Sequence, residues 1–95
     1  MPYTSRRLYL IMGFLKARLE DGETFTFWDL QDYLTSKHCI ISGKRPESSL
    51  NGAIRKLEMD IRHELRAKVE VAGMEYSADG RGRGKQVMLV QPLEK

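Results

Sequence analysis

Residues 76–90, YSADGRGRGKQVMLV, decide the fold of the second half of this chain. The alternating glycines at the centre of this stretch supply the backbone freedom that a hairpin loop requires. Apolar residues return in the VMLV run that follows, and upstream Val69 and Val71 alternate with polar or small residues, as in a β-strand. The sequence therefore predicts a β-hairpin with a cationic tip, whose strands cover about 69–78 and 85–91.

The segment before this hairpin, SSLNGAIRKLEMDI at 48–61, predicts a long amphipathic helix. Pro46 suits a first helical residue, because its missing N–H is not needed there, and we expect the helix to end near Arg66. The opposite face is mostly polar and cationic. The apolar residues are spaced by three and four and share one stripe of the helix: Leu50, Ile54, Leu57, Ile61 and Leu65.

Two further helices are predicted upstream, with a short strand of about 24–26 between them. The first runs from about Ser5 to Glu20, and the second covers about 27–36 and opens with a capping box formed by Thr26 and Asp29. Most methionines, Met74 included, are expected to fill the core. The apolar stripe of the first helix comprises Leu8, Ile11, Met12, Leu15 and Leu19, and that of the second Phe27, Leu30, Tyr33 and Leu34.

The expected architecture is therefore a single α+β domain of residues 1–95, in the order helix, short strand, helix, helix, strand, strand. A chain of 95 residues with 41% hydrophobic residues can build one compact core and is too short for a second. The second and third helices read as a helix-turn-helix, in which the third helix can lie in the major groove of DNA.

The basic residues are concentrated in the second part of the chain. Residues 1–35 carry four basic and five acidic side chains, whereas residues 36–95 carry twelve and eight. This asymmetry favours a polyanionic partner on one face. Cys39 is the single cysteine, which favours a reducing compartment, so we expect a cytoplasmic or nucleoid-associated protein. No stretch approaches the roughly 20 apolar residues that a membrane span needs, so no membrane partner is expected.

No motif in the sequence predicts an enzyme. There is no phosphate-binding loop with its Gly-Lys-Ser/Thr signature, no HExxH zinc motif and no GxSxG nucleophile elbow. His38 and His63 have no acidic or cysteine partner at ligand spacing, and a single cysteine cannot build a CxxC zinc site. We therefore expect no catalytic residues, no cofactor and no metal.

The residues that suit DNA contact lie on the third helix and at the hairpin tip. A recognition helix needs short polar or cationic side chains facing outward, because bulky apolar ones would block approach to base edges. Arg55 is the best candidate for bidentate contact with guanine. The predicted DNA-binding residues are Ser48, Ser49, Asn51, Gly52, Arg55 and Lys56 for bases, Lys44, Arg45, Arg62 and Arg66 for phosphates, and Arg81, Arg83 and Lys85 for the backbone or minor groove.

These same segments carry a resemblance to winged-helix domains. Over roughly 24–91 the chain is similar in plan to the effector domains of OmpR/PhoB-type response regulators, through the IRKL run of its third helix and the strand-loop-strand that follows. The resemblance implies a three-helix bundle with a helix-turn-helix and a C-terminal two-stranded β-hairpin wing. It also implies that the third helix faces the DNA groove.

The prediction is a double-stranded DNA-binding protein that acts as a small transcriptional regulator. One module buries a limited surface, so the sequence leaves a homodimer open. The alternative is a winged-helix protein-interaction module, an adaptor or inhibitor of a nucleic-acid-processing complex, supported by an outward-facing Met59 and by Trp28. RNA binding through the hairpin loop ranks lower, because no aromatic stacking platform accompanies it.

Overall fold

The computed structural model describes residues 5–39, 46–76 and 84–93, with side chains from Ser49 onward in the second range. The described residues form an α+β fold in which helices pack against a three-stranded antiparallel sheet of order β1-β3-β2. The elements are α1 (Arg6–Asp21), β1 (Phe25–Thr26), α2 (Phe27–Ser36), α3 (Pro46–Lys56), a short helical turn α4 (Glu58–Asp60), a π-helical turn (Ile61–Leu65), β2 (Ala67–Glu75) and β3 (Lys85–Pro92).

Helix α1 begins and ends within one residue of the bounds expected from the sequence. The Ser5 hydroxyl accepts a hydrogen bond from the Leu8 N–H at 3.1 Å, which satisfies one of the unpaired donors of the first turn. Gly22 follows the last residue with a φ of 70°, and its N–H donates to the Arg18 carbonyl at 2.8 Å. Glycine suits this left-handed position because it has no Cβ to clash with the backbone.

Helix α2 has the bounds that its capping box predicts. The Thr26 hydroxyl accepts from the Asp29 N–H at 3.2 Å, and the Asp29 carboxylate accepts from the Thr26 N–H at 2.9 Å. At the other end His38 has a φ of 59°, and the Cys39 N–H reaches back to the Leu34 carbonyl at 2.8 Å. This is a Schellman motif whose left-handed position is held by histidine instead of the usual glycine.

The third helix is helical almost to Arg66, as predicted, but it is not one regular α-helix. At Leu57 the N–H is shared between the carbonyls of Ala53 and Ile54, both at 3.1 Å, which tightens the turn after α3. A π-helical turn then widens the backbone over Ile61–Leu65, and Arg66 ends it with a φ of 53°. Apolar spacing identifies the buried side of a helix but carries no information about its hydrogen-bond pattern, so the irregularity could not be predicted.

Strand β3 lies between the other two strands. It pairs with β1 through Phe25 opposite Met88, a contact that places the start of α2 beside the hairpin. It pairs with β2 regularly over Ala67–Val71, and a bulge at Ala72 then shifts the register. A bulge bends its strand and increases its twist. The distal part of the hairpin therefore diverges from the part that packs on the helices.

One hydrophobic core joins the helices to the sheet. Phe14 meets the ring of Phe25 edge to face at 5.1 Å and is buried, although its position in the helical pattern lies off the predicted apolar stripe. The prediction that Met74 fills the core is wrong, since 46% of its surface is exposed beyond the bulge. The fully enclosed large side chains are Phe25, Ile11, Leu15, Leu30, Leu34, Leu50, Leu57 and Ile61.

Candidate nucleic-acid interface

The side of α3 that faces away from the core, together with the turns after it, presents six of the predicted DNA-binding residues to solvent. The apolar stripe on the other side holds α3 in place, with Leu50 and Leu57 almost fully buried. Because the helix is anchored on that stripe, its polar side chains cannot turn inward without breaking the core. Exposed side chains belong to Ser49, Asn51, Arg55, Lys56, Arg62 and Arg66, and Gly52 is half-buried.

Several predicted DNA-binding residues lie outside the described residues. These are Lys44 and Arg45, which precede α3 in the sequence, and Arg81 and Arg83, which come between β2 and β3 in the sequence. Ser48 belongs to α3, but its side chain also lies outside the described part of the chain. Their assignment to DNA therefore stays a prediction from the sequence.

The structure separates the cations of α3 and the turns after it into two flanks. Arg55 and Arg62 line a groove between the helix and β2, whereas Lys56 is exposed and is not part of that groove. Consecutive residues of an α-helix point about 100° apart, which accounts for the divergence of Arg55 and Lys56. The two arginines can therefore act on a ligand together, and Lys56 would approach it from another side.

The groove beside α3 is open to solvent and has a volume of about 650 Å³. Its floor is apolar and continues the core, with Ile54 and Ile61 from the helical side and Ala67, Val69 and Val71 from β2. Its rim is polar. Besides the two arginines, the rim carries Asn51 and Glu58 from the helical side and Lys68 and Glu70 from the strand.

The helical side of this groove carries one net positive charge, because Arg55 and Arg62 share it with a single carboxylate, that of Glu58. Lys68 and Glu70 pair with each other across 3.0 Å on β2. Within the described part of the chain, neither Arg55 nor Arg62 forms an ion pair with a carboxylate. A guanidinium presents several donors in a fixed fork that matches phosphate and carboxylate groups, so both side chains are available to an anionic ligand.

Lys85 has a neighbour that the sequence did not predict. Its ammonium lies over the ring of Trp28, with the nitrogen 5.5 Å from the ring centroid. The pairing of β1 with β3 explains this contact: it sets Thr26 opposite Val87, and Trp28 lies two residues further towards Lys85. The contact links the start of α2 to the base of the hairpin, and it holds the cation by its attraction to the ring face.

The hairpin also exposes an apolar strip that sequence reasoning missed. Val71, Met74 and Tyr76 are 54%, 46% and 68% exposed, respectively. A Cβ added to Gly84 would lie 2.8 Å from the Tyr76 ring and 2.9 Å from the Met74 methyl group, so these side chains cover the glycine. Alternation along β2 indicated a strand, but it could not show that the strand extends past the helices.

The described residues were also compared with the requirements of a metal site and of a membrane-spanning helix. No group of three or more histidine, cysteine or acidic residues there is arranged to hold a metal ion. No helix there is long and apolar enough to cross a membrane. Comparisons with family models, curated proteins and solved structures gave no significant match to this chain. Function must therefore be inferred from the chemistry of the surfaces described above.

Proposed function

We propose that this chain is a winged-helix protein that binds double-stranded DNA, as a small transcriptional regulator. In this arrangement α3 enters the major groove, and the β2–β3 hairpin contacts the neighbouring backbone or minor groove. The strand order β1-β3-β2 and the position of the hairpin directly after the third helix support a winged-helix architecture. The proposal assigns the hairpin tip, with Arg81 and Arg83, to phosphates.

The observation that carries the proposal is the outward face of α3. It combines exposed Asn51 and Arg55 on α3 with exposed Arg62 on the π-helical turn that follows, and the apolar stripe on the opposite side is buried in the core. Asparagine and arginine can each make two hydrogen bonds to a base edge, to adenine and guanine respectively. Because neither arginine forms an ion pair with a described carboxylate, contact with DNA would not first have to break one.

Fluorescence anisotropy with a labelled random-sequence duplex, measured over a series of salt concentrations, tests the proposal. We expect binding that falls steeply with salt, and a double change of Arg81 and Arg83 to Ala that lowers the slope by about 0.9 for each phosphate that the variant no longer neutralises. Lys16→Ala removes an exposed charge on α1 and serves as the control. No binding at low salt, or identical slopes for all three proteins, would refute the DNA mode.

A second measurement tests the recognition role of α3. On a site selected from a random pool, Arg55→Ala is expected to reduce discrimination at one base pair by about 1–3 kcal/mol, while nonspecific affinity falls much less. Equal discrimination by the wild type and the variant would remove Arg55 from the base-reading set.

A protein-interaction module is the second candidate function. Met59 is 60% exposed on the outer side of the helical turn α4, and the groove beside α3 has an apolar floor. Both features suit contact with another protein, because exposed apolar groups gain free energy when a partner covers them.

A further inference from the structure

We infer that the groove between α3 and β2 binds an acidic amphipathic helix of a protein partner. This inference rests on the second candidate function and names its partner chemistry. It uses Arg55 and Arg62, which the main proposal assigns to DNA, so the two ligands would compete for this surface. The inference depends on three properties that coincide at this groove: an apolar floor, two arginines on the helical side that form no ion pair with a described carboxylate, and an apolar strip that leads away from the groove.

The floor requires apolar groups from its occupant. Ile54 and Ile61 close the bottom from the helical side and are already buried, so the apolar surface that an occupant can cover lies at Val71, which is 54% exposed on the strand side. The strip continues through Met74 to Tyr76. Phosphates and sugars of a DNA strand could neutralise the arginines, but they would bring polar oxygen atoms against these apolar groups. The apolar face of a peptide helix would instead cover Val71 and the strip beyond it, and the removal of apolar surface from water is the favourable term in most protein association.

The two arginines on the helical side of the groove determine which charge an occupant must carry. Arg55 and Arg62 are seven residues apart, or close to two helical turns, although the tightened turn after α3 and the π-helical turn that contains Arg62 change the spacing from that of a regular α-helix. A partner helix that lies alongside α3 can match this spacing with two carboxylates two turns apart. Each carboxylate can accept two hydrogen bonds from one guanidinium. Glu58 lies on the same side and offsets one arginine, and the Lys68–Glu70 pair on the opposite rim is neutral. The groove therefore carries one net positive charge and favours an acidic occupant.

A second copy of this chain is a poorer occupant. Helix α1 carries more basic than acidic residues, so its net charge would repel the arginines. Its charged residues are Arg6, Arg7, Lys16 and Arg18 against Glu20 and Asp21. Helix α2 exposes Asp29 and Asp32, but its apolar residues Phe27, Leu30 and Leu34 are buried in the core of its own chain. The half-buried Trp28 is already covered by Lys85. Among the described helices, therefore, none offers an acidic face together with a free apolar stripe.

The test uses the full chain labelled with ¹⁵N and three synthetic helical peptides of about 18 residues. In the first peptide, leucines recur at alternating intervals of three and four residues, so that they form one apolar stripe along the helix. Glutamates lie on both sides of this stripe. The second replaces every glutamate by glutamine. The third has the composition of the first, permuted so that the leucines no longer share a face. Amide shifts report where each peptide binds, and titration gives its affinity.

We expect the acidic amphipathic peptide to shift the amides of Ile54, Ile61, Val69 and Val71, and to bind at least about tenfold more tightly than either control peptide, or about 1.4 kcal/mol. The double change Arg55→Glu and Arg62→Glu should abolish this binding, and a peptide with lysine in place of glutamate should restore it. Lys16→Glu combined with Lys37→Glu makes the same change in charge on other exposed surfaces and should leave the affinity within about twofold.

Several results would overturn the inference. They are no shift at about 1 mM peptide, equal affinity for the three peptides, and shifts that map away from the groove. Shifts of the Val69 and Val71 amides that grow with protein concentration in the absence of peptide would assign the groove to a second copy. The same shifts produced by a DNA duplex and not by the acidic peptide would assign it to DNA. Salt-dependent DNA binding tests the main proposal separately, so the two failures can be told apart.

Discussion

The contact between Lys85 and Trp28 makes a quantitative prediction about the hairpin. The ammonium lies 5.5 Å from the ring centroid, and Trp28 is half-buried. Lys85→Met keeps most of the apolar stem and removes the charge, whereas Trp28→Leu removes the ring. Comparing the two single variants with the double variant isolates the energy of the contact from the packing that each side chain makes elsewhere.

The expected magnitude follows from the exposure of the pair. Lys85 is exposed, so the attraction is screened by water and should be worth about 0.5–1 kcal/mol. In a domain of this size, 1 kcal/mol corresponds to a change of roughly 4–8 °C in Tm. Lys85→Met should therefore lower Tm by about 2–8 °C in the wild-type background and by much less when Trp28 is already leucine.

Urea unfolding followed by far-ultraviolet circular dichroism measures these differences, since Trp28→Leu removes the only tryptophan of the chain. In the protein that keeps Trp28, Lys85→Met should also shift the emission of that tryptophan. Additive effects of the two substitutions, within about 0.3 kcal/mol, would refute the contact. Lys85 would then be a solvated cation that is fully available to a polyanion.

Two further predictions concern the ends of α2. Thr26→Ala should lower the free energy of unfolding by about 1 kcal/mol, because the Asp29 N–H loses its acceptor. Thr26→Ser keeps the hydroxyl and should lower this free energy less. Equal losses for the two variants in urea unfolding would argue against the capping box. His38→Gly should raise thermal stability or leave it unchanged, because the φ of 59° at this position strains any side chain. Gly22→Ala introduces a side chain at a φ of 70° and should lower the free energy of unfolding by about 1–2 kcal/mol. A loss of stability in His38→Gly would show that the imidazole has another role.

Local features of the chain were predictable because their causes lie within a few residues. Thr26 and Asp29 form a capping box that depends on a separation of three residues, and α2 has the predicted bounds. The stripe from Leu50 to Ile61 is buried as its spacing indicated. The prediction that Met74 lies in the core was wrong because apolar character does not reveal how far a strand continues beyond the helices that cover it.

The candidate site could be predicted only in part. The exposed face of α3 followed from the period of its apolar residues, and Arg55 and Arg62 are exposed as that period indicated. Their common groove with β2 did not follow, because it depends on which flank of the helix meets the strand. The position of Lys85 over Trp28 also depends on pairing between residues far apart in the chain.

The periodicity, capping residues and charge distribution of the sequence specify the helices, the order of the elements and the polar face of α3. These properties arise from interactions over three or four residues, or over two along a strand, and each can be recognised without knowing the rest of the chain. The groove, the position of its two arginines and the Trp28 contact arise from strand register, the bulge at Ala72 and the burial of α3. Those depend on contacts between distant segments, whose geometry is set when the whole core packs together.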